Sequence, residues 1–456
     1  MVILGAARQG LALARFLVRQ GARVTLSDQR SAAQLEQALK SLEDYPIQWA
    51  LGGHALELLD GADLLCLSGG IPLTQPIVVE AQRRGLPLSN DSQIFMEVVP
   101  CRVIAITGSA GKTTTTTLVG RMAAAAASFP NRAWVGGNIG LPLIDHLDEI
   151  SASDVVVLEL SSFQLEQMTI SPQVAVILNI TPNHLDRHGT MEAYIAAKAR
   201  ILAFQSPQDT AILGREDAGA WNLTSSVKGR LVSFSESRPP AGEAGTFLDE
   251  DFFCFQDNAG GDLRVVPLAP SSLMTLRGRH NILNALAACA VAAAAGFPAQ
   301  AMQQGFEGFN GVPHRLELVR NLHGVCWYND SIATAPERTI AAIQSFEEPL
   351  VLLLGGRDKK LPWEDLAELV HSRVDHVVVF GEASPLILRA LGELQPNRRP
   401  FTLARCQTLH EAVSAAADVA EAGDIVLLSP SCTSFDEFTD FEERGECFRL
   451  WVNQLS

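Results

Sequence analysis

Basic residues are scarce in this sequence relative to acidic ones. Its 456 residues include 35 lysines and arginines against 51 aspartates and glutamates, a formal net charge of −16 at pH 7. Nucleic acids and anionic membrane surfaces attract proteins that carry an excess of positive charge. The composition therefore argues against general binding to either, and we expect any anionic ligand to be held by local basic groups and helix ends.

Cysteine motifs and long apolar segments are also missing. The eight cysteines are scattered along the chain, and none forms a C-x-x-C pair with another. This pattern favours reduced thiols, so we expect a cytoplasmic protein. We find no signal peptide and no apolar run of about 18 residues, so the sequence predicts no membrane span. The chain opens directly in a strand, and we expect a few residues to precede Met1.

Length and hydrophobic content indicate several domains. A chain of 456 residues, of which 47% are hydrophobic, predicts about three domains and suffices for several cores. Strands alternate with helices, which is typical of α/β domains with parallel sheets. We place the domains at residues 1–97, 98–311 and 312–456.

A glycine-rich turn between a strand and a helix is the strongest motif. Residues 102–106 predict a buried strand, residues 107–111 break it, and a helix follows from Lys112. Glycines let backbone N–H groups approach phosphate oxygens, Lys112 can reach the outer phosphates, and the Thr113 hydroxyl can bind Mg²⁺. Ile106 occupies the place of the first glycine of G-x-x-x-x-G-K-[ST], so this is a shortened form of that motif. The alternative is an ordinary glycine turn with a surface lysine.

The first segment begins with the layout of a Rossmann unit. A strand over residues 2–4 is followed by a turn at 5–10, a helix at 11–19 and a second strand that ends at Asp28. Ala7 replaces the middle glycine of G-x-G-x-x-G, which weakens the case for a dinucleotide. The loops at the strand ends favour a nucleotide-like ligand without a redox role, and an inert α/β domain with tight turns is the alternative.

Acidic and polar side chains follow the strands of the central segment. Glu159 ends an apolar run, where an acid can hold Mg²⁺ or can cap the next turn. His184 lies at the next strand end, beside the expected phosphate site. Helical periodicity alone predicts that Lys198 is a solvent-exposed lysine on a helix. Asn281 and Asn284 share a helix face and could read an adenine edge, although helix capping by Asn281 explains that residue equally well.

The last segment repeats the alternation of strands and helices. Its strands are predicted to end near Asp330, near Lys359, at residues 381–382 and in the hydroxyl-rich stretch 429–436. We therefore expect a second doubly wound domain whose strand ends face one edge. That edge could hold an acidic substrate, or its residues could form ordinary turns.

Taken together, these motifs resemble the Mur ligases along the whole chain. The matching stretches are residues 107–113, 136–142, 158–166, 183–188, 280–285, 313–315, 329–334 and 429–445. The resemblance implies an α/β protein of three domains: a Rossmann-like N-terminal domain, a central P-loop ATPase-like domain with a mostly parallel sheet, and a C-terminal Rossmann-like domain.

The resemblance also implies an activity. A monomeric, cytoplasmic ligase of peptidoglycan precursor synthesis would use ATP and Mg²⁺ to join D-glutamate to UDP-N-acetylmuramoyl-L-alanine through an acyl phosphate. The alternatives are a related Mur or folylpolyglutamate-type ligase that adds another amino acid, and a non-catalytic nucleotide-binding regulator. An NAD oxidoreductase is the least favoured class, because Ala7 interrupts the dinucleotide motif.

Individual residues receive roles from the same resemblance. Catalytic positions are matched by Lys112, Glu159, His184 and Lys198, and the magnesium ligands by Thr113, Glu159, His184 and Lys198, the last as a lysine carbamylated by CO₂. ATP contacts are implied for Gly108, Ser109, Ala110, Gly111, Lys112, Thr113, Thr114, Asn281, Asn284, Arg315 and Asp330. Contacts to the UDP-substrate are implied for Gly5, Arg8, Gln9, Asp28, Ser68, Asn138, Gln164 and His184. The D-glutamate pocket is matched by Thr334, Lys359, Ser434, Phe435 and Phe441.

Three positions depart from the family pattern. Ala110 replaces the usual Asn of the phosphate loop, Ile332 replaces a frequent Lys, and residues 68–70 replace a usual Ser-Pro-Gly. The change at Ala110 could alter the phosphate contacts. Ile332 removes a cation near the transition state or the amino acid, so either the loop at residues 357–360 compensates or the affinity falls.

Overall fold

The computed structural model describes residues 1–128, 130–140, 142–257, 263–276, 278–394 and 398–456, with the backbone but not the side chain of Asp186. The chain divides into two compact units. The first comprises Met1–Thr275 and Arg279–Phe309, and the second comprises Leu276–Gly278 and Asn310–Ser456. No helix in the described part of the chain is long and apolar enough to cross a membrane.

The first sheet, in the first unit, is built from five parallel strands. They are β1 (Val2–Leu4), β2 (Val24–Asp28), β3 (Ile47–Leu51), β4 (Leu65–Leu67) and β5 (Leu88–Ser89), in the order β3-β2-β1-β4-β5. The helices of this segment are α1 (Arg8–Arg19), α2 (Glu36–Ser41), α3 (Pro76–Arg83) and α4 (Asp91–Val98). Helix α1 begins three residues earlier than the sequence predicts, because the Leu11 N–H already bonds to the Ala7 carbonyl at 2.9 Å.

The second sheet carries nine strands in the described residues of the first unit. They are β6 (Arg102–Thr107), β7 (Ala133–Gly137), β8 (Val155–Glu159), β9 (Val174–Ile177), β10 (Thr210–Gly214), β11 (Arg230–Phe234), β12 (Ala244–Asp249), β13 (Phe252–Asp257) and β14 (Arg264–Pro270). Their order is β14-β13-β12-β11-β10-β9-β6-β8-β7, with only β12-β13-β14 antiparallel. The helices are α5 (Lys112–Ala126), α6 (Ser162–Leu165), α7 (Leu185–His188), α8 (Met191–Ala203), α9 (Ala218–Trp221), α10 (Arg279–Ala295) and α11 (Ala299–Phe306).

The third sheet forms the centre of the second unit. Its strands are β15 (Glu317–Leu322), β16 (Val325–Asn329), β17 (Leu350–Gly355), β18 (His376–Phe380), β19 (Thr402–Arg405) and β20 (Ile425–Ser431), in the order β15-β16-β20-β17-β18-β19. The helices are α12 (Pro336–Ile343), α13 (Glu364–Arg373), α14 (Ser384–Leu391), α15 (Leu409–Val419) and α16 (Phe441–Gln454). Buried aliphatic residues of β17 and β20 pack against helices on both faces, as doubly wound sheets require.

Strand order brings distant loops to one edge of each large sheet. In the second sheet β6 lies between β8 and β9, with Ile106 opposite Glu159 and Thr107 opposite Ile177. The glycine turn after β6 therefore meets the ends of both neighbours. In the third sheet β20 lies between β16 and β17, so the loops after all three strands share an edge. Ligands of open α/β sheets bind at such carboxyl edges.

Candidate functional site

The glycine turn after β6 closes around its own lysine. Gly111 has a φ of 81°, a left-handed conformation that favours glycine, and α5 begins at the next residue. The Lys112 ammonium donates to the carbonyls of Gly108 at 2.9 Å and Ser109 at 3.3 Å. Ala110 is the position where the family usually has Asn. Here the side chain of Asn179 accepts a bond from the Ala110 N–H (2.8 Å) and donates to the Ala110 carbonyl (3.2 Å). This loop has the conformation of an anion cradle at a helix N-terminus.

Three residues that the sequence assigns to the ligand sites, Thr113, Asn138 and Glu159, are hydrogen-bonded next to this loop. The Thr113 hydroxyl donates to Glu159 Oε2 at 2.8 Å, and the Asn138 amide donates to Glu159 Oε1 at 2.9 Å. Glu159 is only 2% exposed. Its carboxylate therefore faces the phosphate loop, and capping of the following turn does not explain it.

Lys198 contradicts the expectation from helical periodicity. Its side chain is 1% exposed and donates to Gly108 O at 2.9 Å and to Thr107 Oγ1 at 3.3 Å. Burial, assisted by the nearby charge of Lys112, lowers the pKa of Lys198 to about 7. The solvated-lysine interpretation was wrong, because the face of α8 that carries this residue packs under the phosphate loop. A neutral amine is therefore accessible near pH 7.

Asn281 is not a helix cap. Helix α10 begins at Arg279, so Asn281 lies inside the first turn, where the Asn284 amide donates to it at 3.2 Å. A Cβ on Gly111 would lie 2.2 Å from Asn284 Oδ1, which puts this amide directly against the phosphate loop.

His184 follows β9, and Gln164 lies in α6, just after β8. His184 adopts a left-handed φ of 54° before α7, and its exposed ring meets that of Phe163 edge-on at 5.1 Å. Gln164 is 2% exposed; its oxygen caps α6 at Ser161 and its amide donates to Ser92 at 2.8 Å. Gln164 thereby ties the central segment to α4.

The predicted UDP-substrate residues of the first sheet form a connected turn. Ser68 Oγ donates to the Gly5 carbonyl at 3.0 Å, and Asp28 accepts from the Ala6 N–H at 2.8 Å. A hydrogen-bonded guanidinium, that of Arg30, holds the pKa of Asp28 far below its usual range. The exposed Arg8 follows the turn.

Gln9 joins this turn to the second sheet. Its amide donates at 3.0 Å to the carbonyl of Gly137, the residue before Asn138. The two groups of predicted UDP-substrate residues therefore adjoin, although about 130 residues separate them in sequence.

In the second unit, two predicted D-glutamate residues are in contact. The Lys359 ammonium donates to Thr334 Oγ1 at 2.9 Å. Burial, with the Arg338 charge, lowers the pKa of Lys359. Asp330 is 5% exposed, and burial raises its pKa to about 7, although Ser429 donates to it at 2.9 Å.

The other predicted residues of this unit surround the same loops. Ser434 is buried, whereas Phe435 is 58% exposed and Arg315 is exposed. Phe441 begins α16, and its carbonyl accepts a 2.8 Å bond from Ser331 Oγ.

A cation lies next to Ile332, the position where the family frequently has a lysine. Arg338 donates to the Ile332 carbonyl at 3.2 Å. In the loop at residues 357–360, Arg357 is instead paired with Glu382 at 2.9 Å.

Two further residues received no role from the sequence. Tyr194 is 1% exposed, and its hydroxyl lies 2.9 Å from Ser109 Oγ. Its spacing of four from Lys198 on one helix was an available signal. Arg444 is wholly buried and donates to Ser331 and to the carbonyl of Cys432. Arg444 lies in the matched stretch 429–445, but that stretch gave it no role, because its partner Ser331 is 113 residues away in sequence.

The donor set beside the phosphate loop suits magnesium. A carboxylate and a hydroxyl, from Glu159 and Thr113, supply the oxygen ligands that Mg²⁺ takes alongside water and phosphate. Within the described residues no group of three His, Cys, Asp or Glu side chains could enclose a metal. An ion held by Glu159 and Thr113 alone would depend on water or phosphate for the rest of its shell.

Comparisons with known proteins agree along the chain. Three family models match: the Mur ligase MurD-like N-terminal domain at residues 1–89, the Mur ligase middle domain at 106–292 and the Mur ligase glutamate ligase domain at 314–432. A UDP-N-acetylmuramoylalanine--D-glutamate ligase from Symbiobacterium thermophilum is 40% identical, covering 100% of this chain and 98% of its own. One of the same name from Acetivibrio thermocellus is 38% identical, covering 100% and 96%.

Solved structures share the fold. The crystal structure of UDP-N-acetylmuramate-alanine ligase MurC from Thermotoga maritima has a TM-score of 0.55 at 19% identity, with 99% of each chain covered. Since family models span most of the sequence and relatives are 38–40% identical over 100% of it, this chain belongs to the Mur ligase family.

Proposed function

We propose that this protein is an ATP-dependent ligase that adds D-glutamate to UDP-N-acetylmuramoyl-L-alanine. A carboxylate oxygen of the UDP-substrate attacks the γ-phosphorus of ATP and ADP leaves. The amine of D-glutamate then attacks the acyl carbon, and phosphate leaves as the amide forms and the nitrogen loses a proton. The observation that carries the proposal is the meeting of Thr113, Glu159 and Asn138 beside the phosphate loop.

Charge neutralisation and positioning account for the phosphoryl-transfer step. Lys112 and the N–H groups at the start of α5 bind the phosphates, and Asn284 packs against the loop to fix its shape. Bound Mg²⁺ supplies further neutralisation of the phosphate charge. Thr113 and Glu159 would hold it, and His184 is a further ligand in this proposal.

Lys198 supplies the remaining anion after reaction with CO₂. Its neutral Nζ attacks the carbon of CO₂ and loses a proton, which leaves a carbamate in place of a cation. A pKa of about 7 supports this step, because only the unprotonated amine is nucleophilic. The carbamate would add a carboxylate-like ligand to the pair formed by Glu159 and Thr113.

The second unit offers groups that suit a dicarboxylic amino acid. Lys359 is a cation fixed by Thr334, and Arg338 is close enough to depress the pKa of that lysine. Two positive groups at one strand edge favour a second carboxylate on the incoming amino acid over a neutral side chain. Ser434 and Phe441 complete this pocket in the proposal.

We further propose that the enzyme is located in the cytoplasm and is a monomer. All eight cysteines are free thiols, which accords with a reducing compartment. Sedimentation velocity at working concentration would test the monomer.

Phosphate release tests the reaction. Protein, ATP, Mg²⁺, UDP-N-acetylmuramoyl-L-alanine and D-glutamate should release phosphate only when all are present, and mass spectrometry should find the amide product. Release that is indifferent to D-glutamate would contradict the proposal. Faster turnover with another amino acid or a folate-like acceptor would favour a related ligase, and nucleotide binding without turnover would favour a regulator.

A further inference from the structure

An aromatic cluster in the first unit joins the phosphate loop to the turn at Ser68–Ile71. It consists of Phe163, His184, His188 and Tyr194. Phe163 stacks on His188 at 5.2 Å with an interplanar angle of 6°, and it meets His184 edge-on at 5.1 Å. His188 in turn lies 5.2 Å from Tyr194. The His188 side chain is only 1% exposed, whereas Phe163 is half-buried and His184 is exposed, so the cluster has a buried centre and an exposed edge.

One end of this cluster is joined to the first sheet by Arg187. Its guanidinium carbon lies 4.0 Å above the Phe163 ring, a close cation–π contact. The same guanidinium donates at 2.7 Å to the carbonyl of Ile71. The Ile71 N–H bonds to the Ser68 carbonyl at 2.9 Å, so Arg187 holds the turn that presents Ser68.

The other end of the cluster is joined to the phosphate loop. The Tyr194 hydroxyl lies 2.9 Å from Ser109 Oγ, and Ser109 also donates to the Thr181 carbonyl at 2.9 Å. The Lys198 ammonium lies 4.8 Å from the Tyr194 ring centroid. The phosphate loop is therefore in direct contact with Tyr194, so a displacement of Ser109 would be transmitted to that ring.

We propose that Arg187 is a positioning residue that couples occupancy of the phosphate loop to the affinity of the Ser68–Ile71 turn for the UDP-substrate. It acts through Phe163 and touches no reacting atom. This inference rests on the proposed function, since it requires both nucleotides to bind the first unit. Each ligand then strengthens the binding of the other by the same factor.

Binding measurements on the full chain separate this coupling from catalysis. Titration calorimetry would give the Kd of UDP-N-acetylmuramoyl-L-alanine with and without a non-hydrolysable ATP analogue and Mg²⁺. In the wild type we expect the analogue to tighten binding by about fivefold or more. In Arg187→Lys, which keeps the charge but loses the planar stack and the fixed donor, we expect that factor to fall towards one while the Kd of the analogue alone is unchanged.

Arg121 provides a matched control. It also lies over a phenylalanine, Phe309, at 5.8 Å and donates to a carbonyl, that of Gly305, at 2.8 Å, but it is on the third turn of α5, away from the cluster. Arg121→Lys should keep the wild-type coupling factor. The double variant Arg187→Lys/Phe163→Leu should lose no more coupling than Arg187→Lys alone, because Arg187 and Phe163 act in one chain of contacts.

Three outcomes overturn the inference: a wild-type coupling factor of one, full coupling in Arg187→Lys, or equal loss in Arg121→Lys. If the wild type binds no UDP-substrate at all, the proposed function fails with it. If both ligands bind and turn over but remain uncoupled, only the role of Arg187 fails.

Discussion

The hydroxyl of Thr113 donates a 2.8 Å hydrogen bond to the carboxylate of Glu159, across 46 residues of sequence. Thr113 is the second residue of the helix after the phosphate loop, and Glu159 ends the neighbouring parallel strand. Their contact holds a buried negative charge beside the phosphate loop. Such a charge is stable there only with donors around it, and Asn138 supplies the second one.

Removing the charge of Glu159 should weaken the use of magnesium. In Glu159→Gln we expect the Mg²⁺ concentration for half-maximal phosphate release to rise about 10–100-fold, because a neutral amide is a poor ligand for a hard cation. Asp154, at the other end of the same strand segment, accepts bonds from Arg132 and Trp134 and serves as the control. Asp154→Asn should lower the melting temperature without changing the magnesium requirement. A reversed pattern would contradict the role given to Glu159.

The proposed carbamate of Lys198 should be essential for turnover. Lys198→Ala is expected to abolish turnover, and added short carboxylates such as acetate or formate should restore part of it by occupying the vacated volume. The exposed Lys228, which donates to the Ala203 carbonyl, is the control, and Lys228→Ala should keep full activity. Wild-type turnover in Lys198→Ala, or rescue by an amine and not by a carboxylate, would exclude the carbamate.

A methyl group at Gly111 should disturb nucleotide binding through Asn284. Its φ of 81° strains any L-residue, and the new Cβ would lie 2.2 Å from the Asn284 amide oxygen. Gly140 shares the left-handed backbone, with a φ of 64°, but its nearest neighbour is 3.7 Å away. We expect Gly111→Ala to raise the Kd of ADP, measured by calorimetry, at least about tenfold. Gly140→Ala should change it by much less; equal effects would mean that backbone strain alone is responsible.

Asp330 should make the stability of the second unit depend on pH. Burial raises its folded pKa to about 7 from the ordinary 3.8, so the folded chain binds a proton between these values that the unfolded chain does not. Stability from this group is therefore greatest below the unfolded pKa and falls as pH rises to about 7, by up to about 1.4 kcal/mol per pH unit. The melting temperature of Asp330→Asn, relative to wild type, should be higher at pH 8 than at pH 5. An unchanged difference would show that Asp330 titrates normally.

Arg444 should hold together the loops of the proposed D-glutamate pocket. It is completely buried among neutral acceptors, with bonds of 2.8 Å to Ser331 and 3.1 Å to Cys432, and burial lowers its pKa to about 10. Arg444→Met would leave these carbonyls unsatisfied and should cost about 2 kcal/mol or more in urea unfolding. Arg320 donates to Leu455 and other carbonyls at the end of α16 but is half-buried, so Arg320→Met should cost less. The KM for D-glutamate should rise only in the first variant.

Local patterns in the sequence were sufficient for the phosphate loop, the alternation of strands and helices and the relationship to the Mur ligases. A glycine turn, an apolar run and a helix start each involve neighbours within a few residues, so their physics is written in consecutive positions. The start of α1 was misplaced because its first hydrogen bond depends on the backbone of Ala7, which composition does not reveal.

Folding in three dimensions settled the chemistry of individual side chains. Lys198 has the periodicity of a surface residue and becomes a buried amine only because α8 packs beneath Gly108, 90 residues away. Arg187 reaches Ile71 across 116 residues, and Arg444 reaches Ser331 across 113. Burial, pKa and hydrogen-bond partner are properties of such long-range contacts, and no local spacing in the chain records them.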